Sequence, residues 1–300
     1  GLEDARGTLF YEYARLVDEV QPKVFIYENV QGLLKHDKGN TWEIISSIFD
    51  TLGYHYSFKV LNSKDFGIPQ NRNRLFVVGF KDEKYANRFE FPNAIELQYT
   101  MQDFLEEKCK PGSFKYGNII DDPGVVDDKY FLSEKVVKHV MSVGTKNYVT
   151  VPKTDLKIAR PLLATMHKMH RAGVDNYVTI NGKLRRLTPR ECLRLMGFGD
   201  EFKQVVSDTQ MYKQAGNSIV SAAHLWHCTD GNWRKSSRCR RCLSRNISCL
   251  FSGKQDVSRR RTSESMVDSD SLQLLQENHG QYLPKANRST DGHHAATGIV

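Results

Sequence analysis

Gln70, Arg72 and Arg74 stand at alternate positions in DFGIPQNRNRLFVVGF, residues 65–80. Successive side chains of an extended chain point to opposite sides, so a period of two puts these three polar groups on one face. Two guanidiniums held side by side repel each other and stay charged at ordinary pH. They call for an anionic or electron-rich partner: a phosphate, a carboxylate or a carbonyl edge. A solvated, Arg-rich start to a strand is the other reading of the same spacing. Glu28 is the next group with chemical reach. It follows the apolar run VFIY at 24–27 and opens ENV at 28–30, where a carboxylate either caps the next loop or protonates or hydrogen-bonds a substrate.

His167, Lys168, His170 and Arg171 form a basic knot in HKMHRAG. No other ligand type stands near the two histidines, and a basic loop suits a polyanion better than a metal. Cys239, Cys242 and Cys249, with Cys228 upstream, have thiolate spacing that could hold zinc. Few core residues surround them and no second cluster completes the set, so no metal is expected. Cys192 reads as a small core residue. Asn217 and Ser218, in a tight turn into the apolar stretch 219–223, either bind a ligand or cap a helix.

These groups need elements to hold them. Leu9, Phe10, Tyr13, Leu16, Val17 and Val20 recur at helical spacing, predicting an amphipathic helix over 1–20 that Gln21-Pro22 closes. A buried strand over 24–27 follows, with polar residues at its carboxyl end, the pattern of a parallel α/β sheet whose ligands sit at strand ends. Trp42, Ile45, Ile48, Phe49 and Leu52 predict a second helix over 41–52, capped by Asn40 or Thr41. Strands over 54–61 and 75–78 follow, a βαβ-like order with the Arg pair beside an antiparallel or neighbouring strand of the same sheet, which could bring Glu28 and the Arg pair to one sheet edge. Periodicity weakens over 81–182, where short apolar pieces at 118–120 and 148–151 suggest a small domain of irregular strands. Thr188-Pro189-Arg190-Glu191 is a capping box with Pro at the first helical position, starting a helix that ends at Gly197. Beyond about 225, Arg, Ser, Asp and Asn dominate, the composition of a disordered tail.

The 300 residues carry a net charge of +8, which fits a polyanionic partner. Their mean hydropathy of −0.53 and lack of a long apolar run exclude a membrane-spanning helix, and no apolar signal region stands at the start. Six cysteines without such a signal read as reduced thiols. Gly1 stands where an initiator Met would, inside what reads as a motif, so a missing beginning is expected.

Taken together, GLEDARGTLF at 1–10, ENV at 28–30, DFGIPQNRNR at 65–74, RRLTPRECLRLMGF at 185–198 and QAGNSI at 214–219 resemble the DNA cytosine-5 methyltransferases in order and spacing, over about 1–223. The resemblance implies an α/β fold: a partial Rossmann-like methyltransferase sheet with a small, irregular, mostly β target recognition domain and a disordered tail. Residues 1–80 and 183–224 would belong to the catalytic domain, 81–182 to target recognition and 225–300 to the tail. It implies S-adenosylmethionine as cofactor and double-stranded DNA as partner, with no membrane, in the cytoplasm beside the nucleoid of a bacterium or in a eukaryotic nucleus. Glu28 would hold or protonate the cytosine ring at N3, and Arg74, supported by Arg72, would address the base carbonyl. Leu9, Asn217 and Ser218 would line the cofactor pocket, and Lys168, His170 and Arg171 would face DNA.

Where the family has threonine before leucine in that region, this chain has Pro161. The family's glycine-rich cofactor loop and Pro-Cys nucleophile motif lie upstream of its first block, and neither occurs here: no cysteine follows a proline. The expectation is therefore the carboxyl-terminal portion of such an enzyme, inactive alone. The alternatives are a non-catalytic DNA-binding remnant, or half of a split enzyme whose amino-terminal partner supplies the nucleophile.

Overall fold

The computed structural model describes residues 5–115, 118–145 and 148–221. The chain divides into two compact units, Gly1–Gly231 and Asn232–Val300, and all described residues belong to the first. The expected tail over 225–300, with Cys228, Cys239, Cys242 and Cys249, lies outside them.

Helix α1 (Ala5–Val20) leads into strand β1 (Val24–Val30), helix α2 (Asn40–Thr51), strand β2 (His55–Asn62) and strand β3 (Asn73–Phe80). The strands form one sheet in the order β1-β3-β2. β1 and β2 run the same way, as the crossover through α2 requires, but β3 lies between them and runs against both. Every strand pair of this sheet is therefore antiparallel, where the sequence pattern led to a parallel one. Apolar runs define which face of a strand is buried, not which strand lies beside it. α2 also starts differently from expectation: its cap is Gly39, at φ 102°, with no side-chain capping bond, while Asn40 donates to Asp37 and Thr41 Oγ1 meets His36 Nδ1.

The sheet separates two cores. Phe10, Ala14 and Val17 of α1 and Ile45, Ile48 and Phe49 of α2 pack on Phe25, Tyr27, Leu75 and Val77. Phe25 lies across from Gly79, and a Cβ there would stand 2.2 Å from its ring, so a side chain at this position has no room. On the other face, Leu61 and Phe76 join a second core with Met101, Phe104, Leu162, Leu193 and Tyr212.

The middle of the chain is irregular, as expected. A one-turn helix α3 (Glu83–Ala86) precedes the hairpins β4 (Phe114–Lys115) with β5 (Asn118–Ile119) and β6 (Gly144–Thr145) with β7 (Tyr148–Val149), separated by helix α4 (Glu134–Val140). A longer hairpin, β8 (Tyr177–Ile180) with β9 (Lys183–Arg186), leads into helix α5 (Pro189–Leu195). α5 opens on the expected capping box of Thr188 and Glu191 with Pro189 in its first turn, and Cys192 is fully buried.

Helix α6 (Asp208–Asn217) ends where a turn into a new helix was expected. Ala215 and Gly216 are buried in its last turn, Ser218 is its carboxyl-terminal cap, and the chain runs extended from there. The small residues that suggest a turn serve instead to let this helix end pack closely against its neighbours. Among the described residues no helix is long and apolar enough to cross a membrane, and no group of three His, Cys, Asp or Glu could hold a metal.

Candidate active site

Glu28 lies opposite Phe76 and Arg74 opposite Val30 across the β1–β3 pair. The carboxylate and the guanidinium are thus diagonal neighbours on one face, within reach of long side chains. Arg74 Nε stands 3.0 Å from Glu28 Oε1, with both side chains more than two thirds buried. Burial raises the Glu28 carboxyl above its ordinary value, and the charges of Arg74 and then Arg72 only partly oppose it. Burial likewise lowers Arg74, against the pull of Glu28. For both partners, the cost of leaving water outweighs their mutual attraction. The result is a carboxyl group easier to protonate than a solvated one.

Beside the pair, a small cleft is lined by Leu61, Ser63, Phe66, Phe76 and Ile219 together with both arginines. Arg72 has a different role from Arg74. Its side chain is buried, with Nη1 donating to the carbonyl of Leu162 at 3.1 Å and Nη2 to those of Gly216 at 3.1 Å and Ser218 at 3.0 Å. Burial, and then the charge of Arg74, lower its pKa to about 10, still charged at neutral pH. Gln70, fully buried, faces the same segment: Oε1 accepts the N–H of Leu162 and Nε2 donates to the carbonyl of Leu195. The alternation of Gln70, Arg72 and Arg74 therefore does mark one face. Only Arg74 meets the carboxylate, while Gln70 and Arg72 grip a chain segment some ninety residues away. Nothing in the local spacing distinguishes these two fates.

The basic knot is built on a 3-10 turn over Met166–Lys168, with Met169 in the left-handed region at φ 54°. Lys168 is exposed. His170 Nε2 lies 2.9 Å from Thr165 Oγ1, and the Arg171 Nε donates to Ser142 Oγ at 2.9 Å. Two of the three predicted DNA-facing residues are thus also tied to the loop's own framework.

Of the three residues assigned to a cofactor, Ser218 is joined to the arginine pair through its carbonyl, which accepts from Arg72 Nη2. Leu9 is 67% exposed on α1, Asn217 is exposed, and Ser218 turns its hydroxyl onto the carbonyl of Ala215. By themselves they do not fit a nucleoside cofactor: among them is no enclosed wall and no free buried donor. The two cysteines described, Cys109 and Cys192, are both buried, and burial pushes both thiols up. Neither has the exposed, electropositive setting of a nucleophile.

Sequence reasoning missed two buried charge clusters that hold the region together. Arg185, fully buried, bonds both Glu107 and Glu191, and Glu191 also accepts the backbone N–H groups of Thr188 and Glu106. Arg194 pairs with Asp200 at 2.7 Å and donates to the carbonyls of Phe104 and Cys109. The signal was the capping box itself, whose glutamate has a second oxygen to offer once its cap is made.

The sequence profile of the C-5 cytosine-specific DNA methylases matches residues 1–223. The chain is 37% identical over 222 residues to the Type II methyltransferase M.HhaI of Haemophilus parahaemolyticus, covering 73% of this chain and 66% of that protein. It is also 37% identical over 228 residues to the Type II methyltransferase M1.ScrFI of Lactococcus lactis subsp. cremoris, covering 73% and 54%. The chain thus spans between 54% and 66% of these relatives' length. Among solved structures, the S. pombe Dnmt2 methyltransferase superimposes with a TM-score of 0.53 at 18% identity, covering 75% of this chain and 72% of that one. A Spodoptera frugiperda DNMT2 mutant does so at 0.53 and 15% identity, covering 81% and 71%. At such identities the likeness is one of fold.

Proposed function

Because the chain belongs to the C-5 cytosine-specific DNA methylase family, we propose that it carries the base-binding part of a DNA cytosine-5 methyltransferase, acting on double-stranded DNA. The observation that carries this reading is the largely buried Glu28–Arg74 pair beside a small cleft. Cytosine C5 is a poor nucleophile until a thiolate adds at C6, and the addition is helped by a proton or hydrogen bond at N3. A carboxyl group whose pKa burial has raised supplies that proton. Arg74, whose Nε meets Glu28 and whose Nη1 donates to the Asn73 carbonyl, addresses the base carbonyl through Nη2 as charge develops there. The base must leave the stack to reach either group.

S-adenosylmethionine is the methyl donor that this reading implies. Leu9, Asn217 and Ser218 would form at most one edge of its site, the remainder coming from a glycine-rich loop outside the 300 residues. The thiolate likewise comes from outside them, since no cysteine here follows a proline. Residues 81–182 are the target recognition region, and the exposed Lys168, with His170 and Arg171, faces phosphate.

The test joins the part of M.HhaI that precedes the aligned region to Gly1 of the full chain and supplies labelled S-adenosylmethionine and duplex DNA. Label is expected in cytosine with the joined protein and not with the 300 residues alone. A joined protein that folds and binds DNA yet transfers no label would leave the chain a DNA-binding remnant.

A further inference from the structure

The segment from Ala159 to Leu162 is held to the approach of β3 by a ladder that no single motif reveals. Asn71 donates its N–H to the carbonyl of Ala159 at 2.8 Å, and Ala159 returns its own to Pro69 at 2.8 Å. One residue pair further on, side chains replace backbone: Gln70 accepts the N–H of Leu162 and Arg72 donates to its carbonyl. Both backbone polar groups of one buried residue are thus satisfied by two side chains of the strand start that leads to Arg74. Arg72 also holds the end of α6 through Gly216 and Ser218. At Gly216 the helix backbone touches the next two residues of the segment, for a Cβ would lie 2.2 Å from Ala164 N and 2.3 Å from the Leu163 carbonyl carbon. From Leu163 the basic knot begins, with Met166 donating its N–H to the Leu163 carbonyl.

We propose that Gln70 and Arg72 are positioning residues that fix the basic loop 163–171 in register with the Glu28–Arg74 pair, so that engagement of phosphate by the loop is mechanically tied to the base-binding carboxylate. Arg72 does this work through its carbonyl contacts, not by touching the base. The inference rests on the reading that this loop meets DNA.

The experiment uses the full chain and a duplex DNA probe. Affinity is measured by fluorescence anisotropy at several salt concentrations, and amide hydrogen exchange is followed over residues 159–171. The salt slope counts the phosphates that the bound protein neutralises. A variant that is merely less stable lowers the bound fraction without altering that slope. Gln70→Met removes both bonds of the amide, and Arg72→Lys keeps one charge but can reach fewer of the three carbonyls. Each is expected to bind at least threefold more weakly at moderate salt with a shallower slope, and to exchange faster over 163–171, while β1 to β3 keep their protection. A folded variant with unchanged slope and loop exchange overturns the proposal while leaving the functional reading intact. Absence of salt-dependent DNA binding by the unmodified chain would defeat the reading on which it rests. Should neither variant fold, the unmodified chain decides: on adding DNA, the amide of Leu162 must slow together with those of Met166, Lys168 and Met169. Slowing confined to the latter three overturns the coupling.

Discussion

Arg74 and Glu28 meet at 3.0 Å across two antiparallel strands, yet the carboxyl is raised above its ordinary value. An ion pair of that length in water would lower it. Here the strand pairing removes both groups from solvent at once, and the desolvation of each exceeds what the partner returns. The geometry therefore makes the Glu28 carboxyl easier to protonate than a solvated glutamate, despite the guanidinium beside it.

In the joined enzyme, Glu28→Gln should reduce methyl transfer by about two orders of magnitude or more, the usual contribution of a general acid, while DNA affinity changes less than threefold. Single-turnover transfer and equilibrium binding, measured on the same preparation, separate the two. Unaltered turnover would remove Glu28 from the chemistry.

The pH dependence has a definite sign. If protonated Glu28 is the working form, transfer falls as pH rises through its pKa. Arg74 holds that pKa down against burial, so Arg74→Gln should move the falling limb to higher pH, whatever it does to the maximal rate. A limb that stays put, or moves the other way, would mean that another group titrates.

Glu191→Ala should destabilise the protein by about 3–5 kcal/mol, the cost of breaking a buried pair from one side. It leaves Arg185 with Glu107 alone and strips the backbone N–H groups of Thr188 and Glu106 of their acceptor. Urea unfolding is the measurement. A loss below about 1 kcal/mol would show that water or another acceptor replaces the carboxylate.

Asp175 gives a prediction in stability alone. Burial pushes its carboxyl up to about 6 from an ordinary 3.8, against the Asn176 and His170 backbone N–H groups, Arg186 and Arg160. Between those values the native state holds a proton that the unfolded chain has released. Its contribution is full below the unfolded value and is lost as pH rises through about 6, with a slope of at most about 1.4 kcal/mol per pH unit. Asp155, Asp200 and Asp208 are lowered and act in the opposite sense, losing stability as pH falls. They are common to both proteins, so the difference between the original and Asp175→Asn isolates one group. The substitution should remove part of the decline in melting temperature between pH 4 and pH 6, and parallel curves would refute the assignment.

Local pattern was legible wherever a side chain's partners lie within its own element. Phe10 and Val17 of α1, the apolar strand before Glu28, the capping box of Thr188 and Glu191 and the burial of Cys192 were readable, whereas Leu9, Leu16 and Val20, read as part of the same helical stripe, are exposed and Ala14, outside that reading, is buried. Neighbours were not. The insertion of β3 between β1 and β2 depends on which edges find each other, and period-two alternation is the same for either order. Gln70 and Arg72 carry the same sequence signature as Arg74, but their acceptors belong to residues 162, 195, 216 and 218. Small residues at 214–218 looked like a turn because tight helix packing and tight turning both select against side-chain bulk.

The two buried arginines also say where this chain can be cut and rejoined. From the middle of the chain, the carboxylate and carbonyl partners of Arg185 and Arg194 lie between Phe104 and Lys110, the Phe114 ring lies under Arg194, and Asp200 accepts from the backbone of Gly112 and Phe114. A chimera that exchanged residues 81–182 for a relative's recognition segment would strand both guanidiniums in a dry interior. A junction placed after Asp122 would carry their carboxylates and carbonyls along intact, leaving the hairpin of β6 and β7 and the basic loop as interchangeable parts.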